Sequence, residues 1–164
     1  AIVTSHVLKH IPFTQLIYSP SIRAAQTALI IGEMLPGAVY LEDERLREVI
    51  PDVPDHYHDF FKQRYPEATP EKRRAATHTL RQVFEDYFVT PAPDTDDEYV
   101  LMVCHGNVIR YLISQVMQNG ADFWMRMIIH NCGISRVWIE DSGMMFVASH
   151  NDIGHLPVEL LTEN

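Results

Sequence analysis

Short apolar runs alternate along the chain with stretches whose apolar residues recur at helical spacing. Residues 14–19 and 38–41 are predicted strands, bounded by turn residues and proline. Residues 99–104, YVLMVC, form an unbroken apolar run that predicts a strand buried on both faces. Residues 133–139 and 144–149, joined by EDSG, predict a β-hairpin near the C-terminus.

The stretches at helical spacing carry recognisable start and stop signals. The N-terminal one ends near Ile11, before Pro12. The next is expected to be capped by Ser19, to begin at Pro20 and to stop at 36–37. A helix opens at Thr69-Pro70, and another covers 107–118. The order of elements predicts an α/β fold with a mainly parallel central sheet flanked by helices.

Size and charge narrow the class of protein. The 164 residues contain 46% hydrophobic residues and show no repeat or linker, so residues 1–164 are interpreted as one domain. The net charge of −9 disfavours a general binder of nucleic acid or membrane surfaces, because both are anionic. Cys104 and Cys132 are interpreted as two reduced thiols.

Two junctions between a strand and a helix carry the candidate chemistry, IYSPSIR and VCHGNVIR. In parallel sheets, ligands bind beyond the carboxyl ends of strands, where helix N-termini favour anions. Arg23 in a first helical turn is disfavoured by the helix dipole unless an anion lies nearby, although it could simply extend into solvent. His105 could be a structural histidine bonded to backbone, but Gly106 beside it allows close approach of a ligand.

Several segments resemble the histidine phosphatase superfamily, also called the phosphoglycerate mutase-like family. They are SPSIRAAQTA, LREV, VCHGNVIR and HNDIGHL, and together they extend the resemblance from about residue 1 to 158. HGNVIRYLI, FWMRMIIHNCGISRVWI and DIGHLP are most similar to its member-5 subfamily of mitochondrial protein serine/threonine phosphatases. The resemblance implies a phosphoglycerate mutase-like fold and a catalytic domain of histidine-phosphatase type.

The resemblance also implies roles for individual residues. Arg23 matches the arginine that grips phosphoryl oxygens, His105 the second histidine that stabilises phosphoryl charge, and Glu48 the general acid and base. From sequence alone, Glu48 could equally be one of several solvated carboxylates. Asn107 and Ser19 are candidates for substrate contact, with helix capping the favoured role of both.

One part of the family pattern is missing from this chain. The family's nucleophile is a histidine in an R-H-G motif on the first strand, and no Arg-His-Gly occurs among these residues. The expectation is therefore an N-terminally incomplete domain, inactive alone, with an apolar gap beside residues 14–19 or 99–104. If the 164 residues proved active, His6, His10 and His150 would become the alternative nucleophiles.

The function expected from the resemblance is a phosphomonoester hydrolase that forms a phosphohistidine, with a phosphorylated protein as substrate. A non-catalytic phosphate-binding scaffold and a small-molecule phosphatase or mutase remain alternatives. A metalloenzyme built on HYHD at 56–59 is disfavoured, and neither metal nor cofactor is expected. The resemblance further implies a homodimer or higher homo-oligomer, and a mitochondrial location with the cytoplasm as the alternative.

Overall fold

A parallel three-stranded sheet forms the centre of the computed structural model, which describes residues 1–93, 95–120 and 122–162. Its strands are β1 (Phe13–Tyr18), β2 (Val39–Glu42) and β3 (Tyr99–Val103), in the order β2-β1-β3. Leu16 of the central strand pairs with Tyr40 on one side and Leu101 on the other. The α/β class and the parallel central sheet are therefore confirmed.

The helices flank this sheet, as the alternation of elements predicts. They are α1 (Ile2–Leu8), α2 (Ile22–Gly32), α3 (His58–Arg64), α4 (Pro70–Tyr87) and α5 (Gly106–Val116). Short 3-10 turns cover Glu44–Leu46, Asp55–Tyr57, Phe123–Arg126 and Val158–Leu160. Thr69 caps α4 as expected, because its Oγ1 accepts a hydrogen bond from the Lys72 N–H.

The predicted hairpin is present and forms a separate sheet. Strands β4 (Ile134–Ile139) and β5 (Met145–Asp152) pair antiparallel, with Trp138 opposite Phe146. Gly143 takes a φ of 80° in the connecting turn, a backbone conformation that favours glycine.

Hydrophobic side chains cover both faces of β1. Leu16 packs on one face with Leu8, Ala28, Ile31 and Leu35. Ile17 packs on the other with residues of α4 and α5, namely Leu80, Val83, Val108, Tyr111 and Leu112, and with Leu46. The two clusters hold the central strand between two helical layers. This packing sets the position of the residues that follow the carboxyl end of β1.

The prediction that residues 99–104 are buried on both faces is wrong. Tyr99 and Val100 are exposed and the rest of β3 is half-buried. Within the described residues β3 hydrogen-bonds to β1 alone, so it is an edge strand of the sheet. An apolar run indicates a strand, but its burial depends on how many neighbours the sheet provides.

Several boundaries also differ from the sequence-based expectation. The second helix begins at Ile22 rather than Pro20, its N-cap is Ser21 rather than Ser19, and it ends at Gly32. The stretch between β2 and Thr69, for which no helix is predicted above, contains α3, whose Phe61 is buried with Val53 and Trp124. No helix of the described residues combines the length and apolar character that a membrane crossing requires.

Candidate active site

The parallel pairing of β1 with β3 brings the two strand-to-helix junctions together. Tyr18 and Val103 are register partners at the carboxyl ends of their strands. Beyond them, the Ser19 N–H donates to the Val103 carbonyl oxygen at 3.0 Å. Ser19 and His105 therefore emerge side by side at one edge of the sheet.

A buried hydrogen bond joins these two side chains. Ser19 Oγ lies 2.8 Å from His105 Nε2, and both residues are almost fully inaccessible to solvent. Ser19 Oγ also accepts from the Ser21 N–H at 3.3 Å. The contact fixes the orientation of the imidazole at the start of α5, because each partner is held by its own strand.

His105 is held in its neutral form at ordinary pH. Burial, together with the nearby charges of Arg23 and Arg47, lowers the pKa of its imidazole to about 4. A neutral imidazole beside two guanidinium groups marks a region of positive potential in a protein of net charge −9. Such a region favours a bound anion.

Arg23 and Glu48 meet at the same edge. Arg23 Nη2 lies 3.8 Å from Glu48 Oε2, a long contact between side chains that are 68% and 36% exposed. At this length and exposure the pair contributes little to stability. The Arg23 guanidinium is therefore available to bind a ligand from solvent.

Glu48 differs from an ordinary solvated carboxylate. Burial raises the pKa of its carboxyl group, against the lowering effects of the Asn107 N–H, Arg23 and Arg110. The Asn107 N–H donates to Glu48 Oε1 at 3.3 Å. A carboxyl group with a raised pKa at a cationic site is suited to proton transfer.

The capping roles favoured for Ser19 and Asn107 are wrong. Ser19 precedes the Ser21 N-cap of α2 and bonds His105 instead. The N-cap of α5 is His105, and Asn107 is the second residue of that helix. Asn107 contributes its backbone N–H to Glu48, while its side-chain Oδ1 accepts from Arg110 Nη1 at 3.2 Å.

The sequence-based reasoning missed Arg110 and Arg47 as neighbours of the site. Arg110 follows Asn107 by three residues, a spacing that places both on one face of a helix. That spacing was a usable signal for Arg110. Arg47 lies beside Glu48 in the chain and pairs with Glu44, and no pattern distinguished it from the other charges of that segment.

The other histidines considered as nucleophiles lie in different surroundings. His6 is exposed on α1 and its Nδ1 contacts the Ile2 carbonyl oxygen. His10 is exposed in the turn that leads to the amino end of β1, the opposite end from Ser19. His150 on β5 is half-buried, with Nδ1 3.2 Å from Ser135 Oγ.

The thiols and the HYHD segment show ordinary structural environments. Both cysteines are free, and burial raises the pKa of the Cys104 thiol to about 12. His58 Nε2 lies 3.1 Å from the Val53 carbonyl oxygen. Across the described parts of the chain, no group of three or more His, Cys, Asp or Glu side chains could hold a metal ion.

Comparison with known families assigns the chain to a superfamily. The model of the histidine phosphatase superfamily (branch 1) matches residues 3–152, which include every site residue described above. The chain belongs to the histidine phosphatase superfamily. Curated relatives of the chain are named as phosphatases.

Two such relatives are mitochondrial serine/threonine-protein phosphatases named Pgam5 or PGAM5. The Caenorhabditis briggsae protein is 35% identical over 149 residues, covering 89% of this chain and 50% of the relative. The human protein is 29% identical over 153 residues, covering 93% of this chain and 51% of the relative. This histidine phosphatase chain thus spans about half the length of these curated relatives.

Two solved structures are similar to this chain in fold. Phosphoglycerate mutase from Plasmodium falciparum has a TM-score of 0.65 and 27% identity, with 98% of this chain and 83% of that chain covered. Bacillus stearothermophilus YhfR has a TM-score of 0.70 and 21% identity, with 95% and 82% covered. The phosphoglycerate mutase-like fold expected of this histidine phosphatase is confirmed.

Proposed function

We propose that this protein is a phosphomonoester hydrolase whose site binds the phosphoryl group between Arg23 and His105. The observation that carries the proposal is the convergence of Arg23, His105 and Glu48 at the carboxyl edge of the sheet. The 3.8 Å approach of Arg23 to Glu48 places a cation beside a carboxyl group of raised pKa. Phosphate-ester hydrolysis needs both an oxyanion partner and a proton donor.

Each residue has a role that fits its surroundings. Arg23 projects from the first turn of α2. The N–H donors of its planar guanidinium match the geometry of phosphoryl oxygens. His105 lies at the start of α5, where helix N–H groups favour the same anion. Glu48 in its protonated form gives its proton to the leaving oxygen as the ester P–O bond breaks and a P–N bond forms to a histidine. Its carboxylate then takes a proton from the water that releases phosphate.

We further propose that the phosphoryl group is carried by a histidine supplied from outside these 164 residues. His105 is neutral, but its Nε2 is engaged with Ser19, which disfavours it as the attacking nitrogen. Among the described residues the outer edge of β3 has no partner strand, and Tyr99 and Val100 on it are exposed. We place an additional strand of the catalytic unit at this edge. In this proposal residues 1–164 are the larger part of one catalytic domain.

The names of the curated relatives support a phosphorylated protein as the substrate. They also support a mitochondrial location. By family resemblance we propose a homodimer or higher homo-oligomer, which light scattering on the purified chain would test. The second candidate function is a site that binds phosphate without turnover. The favouring observation is the Ser19–His105 bond, which engages Nε2 of the site histidine.

Phosphate release from a phosphothreonine peptide and from an aryl phosphate tests the proposal. The 164-residue chain would be compared with a form that carries an upstream strand bearing R-H-G. We expect turnover in the longer form, an acid-labile phosphohistidine trapped by rapid denaturation, and loss of both in Arg23→Met. Equal rates for the two forms would reject the external nucleophile and direct attention to His150. Phosphate binding without release by the longer form would favour the non-catalytic alternative.

A further inference from the structure

Arg110 occupies a position that the roles described above do not use. It lies half-buried on α5, one helical turn after Asn107, and its Nη1 donates to Asn107 Oδ1 at 3.2 Å. The backbone N–H of the same Asn107 donates to Glu48 Oε1 at 3.3 Å. Arg110, Asn107 and Glu48 thus form a continuous chain of contacts ending on the proposed general acid.

Hydrogen-bonded pairs of an asparagine and an arginine three residues apart are common on helices. On an open surface such a pair stabilises the helix by only a few tenths of a kcal/mol. Two features separate Arg110 from that case. Its partner Asn107 lies in the turn that contacts Glu48, and the charge of Arg110 lowers the pKa of the same carboxyl group. The contact therefore acts at the site and not only within the helix.

We propose that Arg110 is a positioning residue of this active site, which holds Asn107 so that the first turn of α5 stays fixed against Glu48. The inference rests on the proposed function for the role of Glu48 as an acid. It adds a second cation to the site: Arg23 precedes Glu48 in the sequence, and Arg110 follows it. In this proposal Arg110 helps to orient and neutralise the Glu48 carboxylate.

The groups that act on Glu48 come from two helices and from a residue that precedes one of them. Arg23 approaches from α2 at 3.8 Å, Arg110 and the Asn107 N–H belong to α5, and the Cys104 thiol precedes that helix. Burial raises the pKa of Glu48, and the hydrogen bond from Asn107 and the charges of Arg23 and Arg110 oppose the rise. Removing the Arg110 charge must then raise the pKa of Glu48 further.

The titration of Glu48 can be measured directly by carboxyl ¹³C NMR on the 164-residue chain, with Glu48→Gln used to assign its resonance. We expect Arg110→Met to raise the pKa of Glu48 and Arg110→Lys, which keeps the charge, to restore most of the wild-type value. Asn107→Ala should raise it less than Arg110→Met, and the double variant should match Arg110→Met alone. Arg74→Met, which removes an arginine paired with Glu71 on α4, is the matched control and should leave Glu48 unchanged.

Turnover supplies a second readout in the active form of the enzyme. Glu48 must be protonated to act as an acid, so a raised pKa of Glu48 shifts the high-pH decline of kcat/KM to higher pH. The shift applies to an ester with a poor leaving group, which needs the proton. We expect this movement in Arg110→Met with about a tenfold loss of kcat/KM, and its reversal in Arg110→Lys.

The two readouts separate the failure of this inference from the failure of the proposed function. An unchanged Glu48 titration in Arg110→Met and in Asn107→Ala would overturn the positioning role, whatever the activity. A shifted titration in an enzyme form that releases no phosphate would uphold the contact while rejecting hydrolysis as the function.

Discussion

Binding of inorganic phosphate should return His105 to its protonated form. In the free protein, burial and the charges of Arg23 and Arg47 lower the pKa of His105 to about 4 from an ordinary 6.5. At about 1.4 kcal/mol per pKa unit, that difference corresponds to roughly 3 kcal/mol. A phosphate anion must supply at least this much interaction to protonate the ring near pH 6.5.

The charges at the site make this attainable. At an effective dielectric of about 20, one unit of charge at about 4 Å contributes about 4 kcal/mol. Phosphate also neutralises Arg23, which removes one of the causes of the lowered pKa. We therefore expect the pKa of His105 to rise to about 6.5 or above when phosphate is bound, with proton uptake at neutral pH.

Histidine ring resonances in isotopically labelled protein provide the assay. The chain has nine histidines, and the His105 signal is identified by its loss in His105→Asn. Titrations with and without saturating phosphate give the two pKa values, and Arg23→Met serves as the variant that should lose the response. Titration of His105 near 6.5 in the free protein would refute the reasoning, as would a pKa that saturating phosphate leaves unchanged.

The sign of the pH effect on stability follows from the same lowered pKa. Between about pH 6.5 and 4 the unfolded chain binds a proton at this position that the folded chain does not. The contribution of His105 to stability is therefore complete above pH 6.5 and is lost as the pH falls through this window. In urea unfolding measured across this pH range, the loss of stability should be smaller in His105→Asn than in the wild type. A dependence of stability on pH that the substitution leaves unchanged would contradict the assignment.

Three further predictions concern neighbouring contacts. Arg73 is 1% exposed and lies 3.7 Å from Asp52, whose side chain is 32% exposed. Asp52→Ala should cost about 2–3 kcal/mol in urea unfolding and Arg73→Met less, because water can reach the remaining carboxylate more easily than the remaining guanidinium. An equal cost for both would contradict this account. Ser19→Ala removes the 2.8 Å bond to His105 and should cost about 1–3 kcal/mol, measured in the same way, whereas an unchanged stability would show that the bond is weak. In an active form, Glu48→Gln should slow hydrolysis of alkyl phosphates far more than of activated aryl phosphates, and equal losses would indicate a binding role for this residue.

The sequence by itself determined the class of fold and indicated three candidate residues for the site. Alternating apolar runs and helical stretches indicated an α/β fold, since strand and helix periods are local properties of the chain. Thr69-Pro70 marked the start of α4 for the same reason, because capping depends on a few adjacent residues. Arg23, Glu48 and His105 were recognised as candidates from short motifs, and the structure places them at one edge of the sheet.

Tertiary structure alone decided what these residues contact. Ser19 bonds His105 across 86 positions of sequence, and no local pattern distinguishes that arrangement from the cap of a helix. The pKa directions of Glu48 and His105 likewise follow from burial and from charges on other elements, which become neighbours only when the parallel strands pair. The same holds for β3, whose apolar sequence indicated a strand while its place at the edge of the sheet decided its exposure. Local propensity is determined by adjacent residues, whereas burial and electrostatics depend on the whole set of elements packed around a side chain.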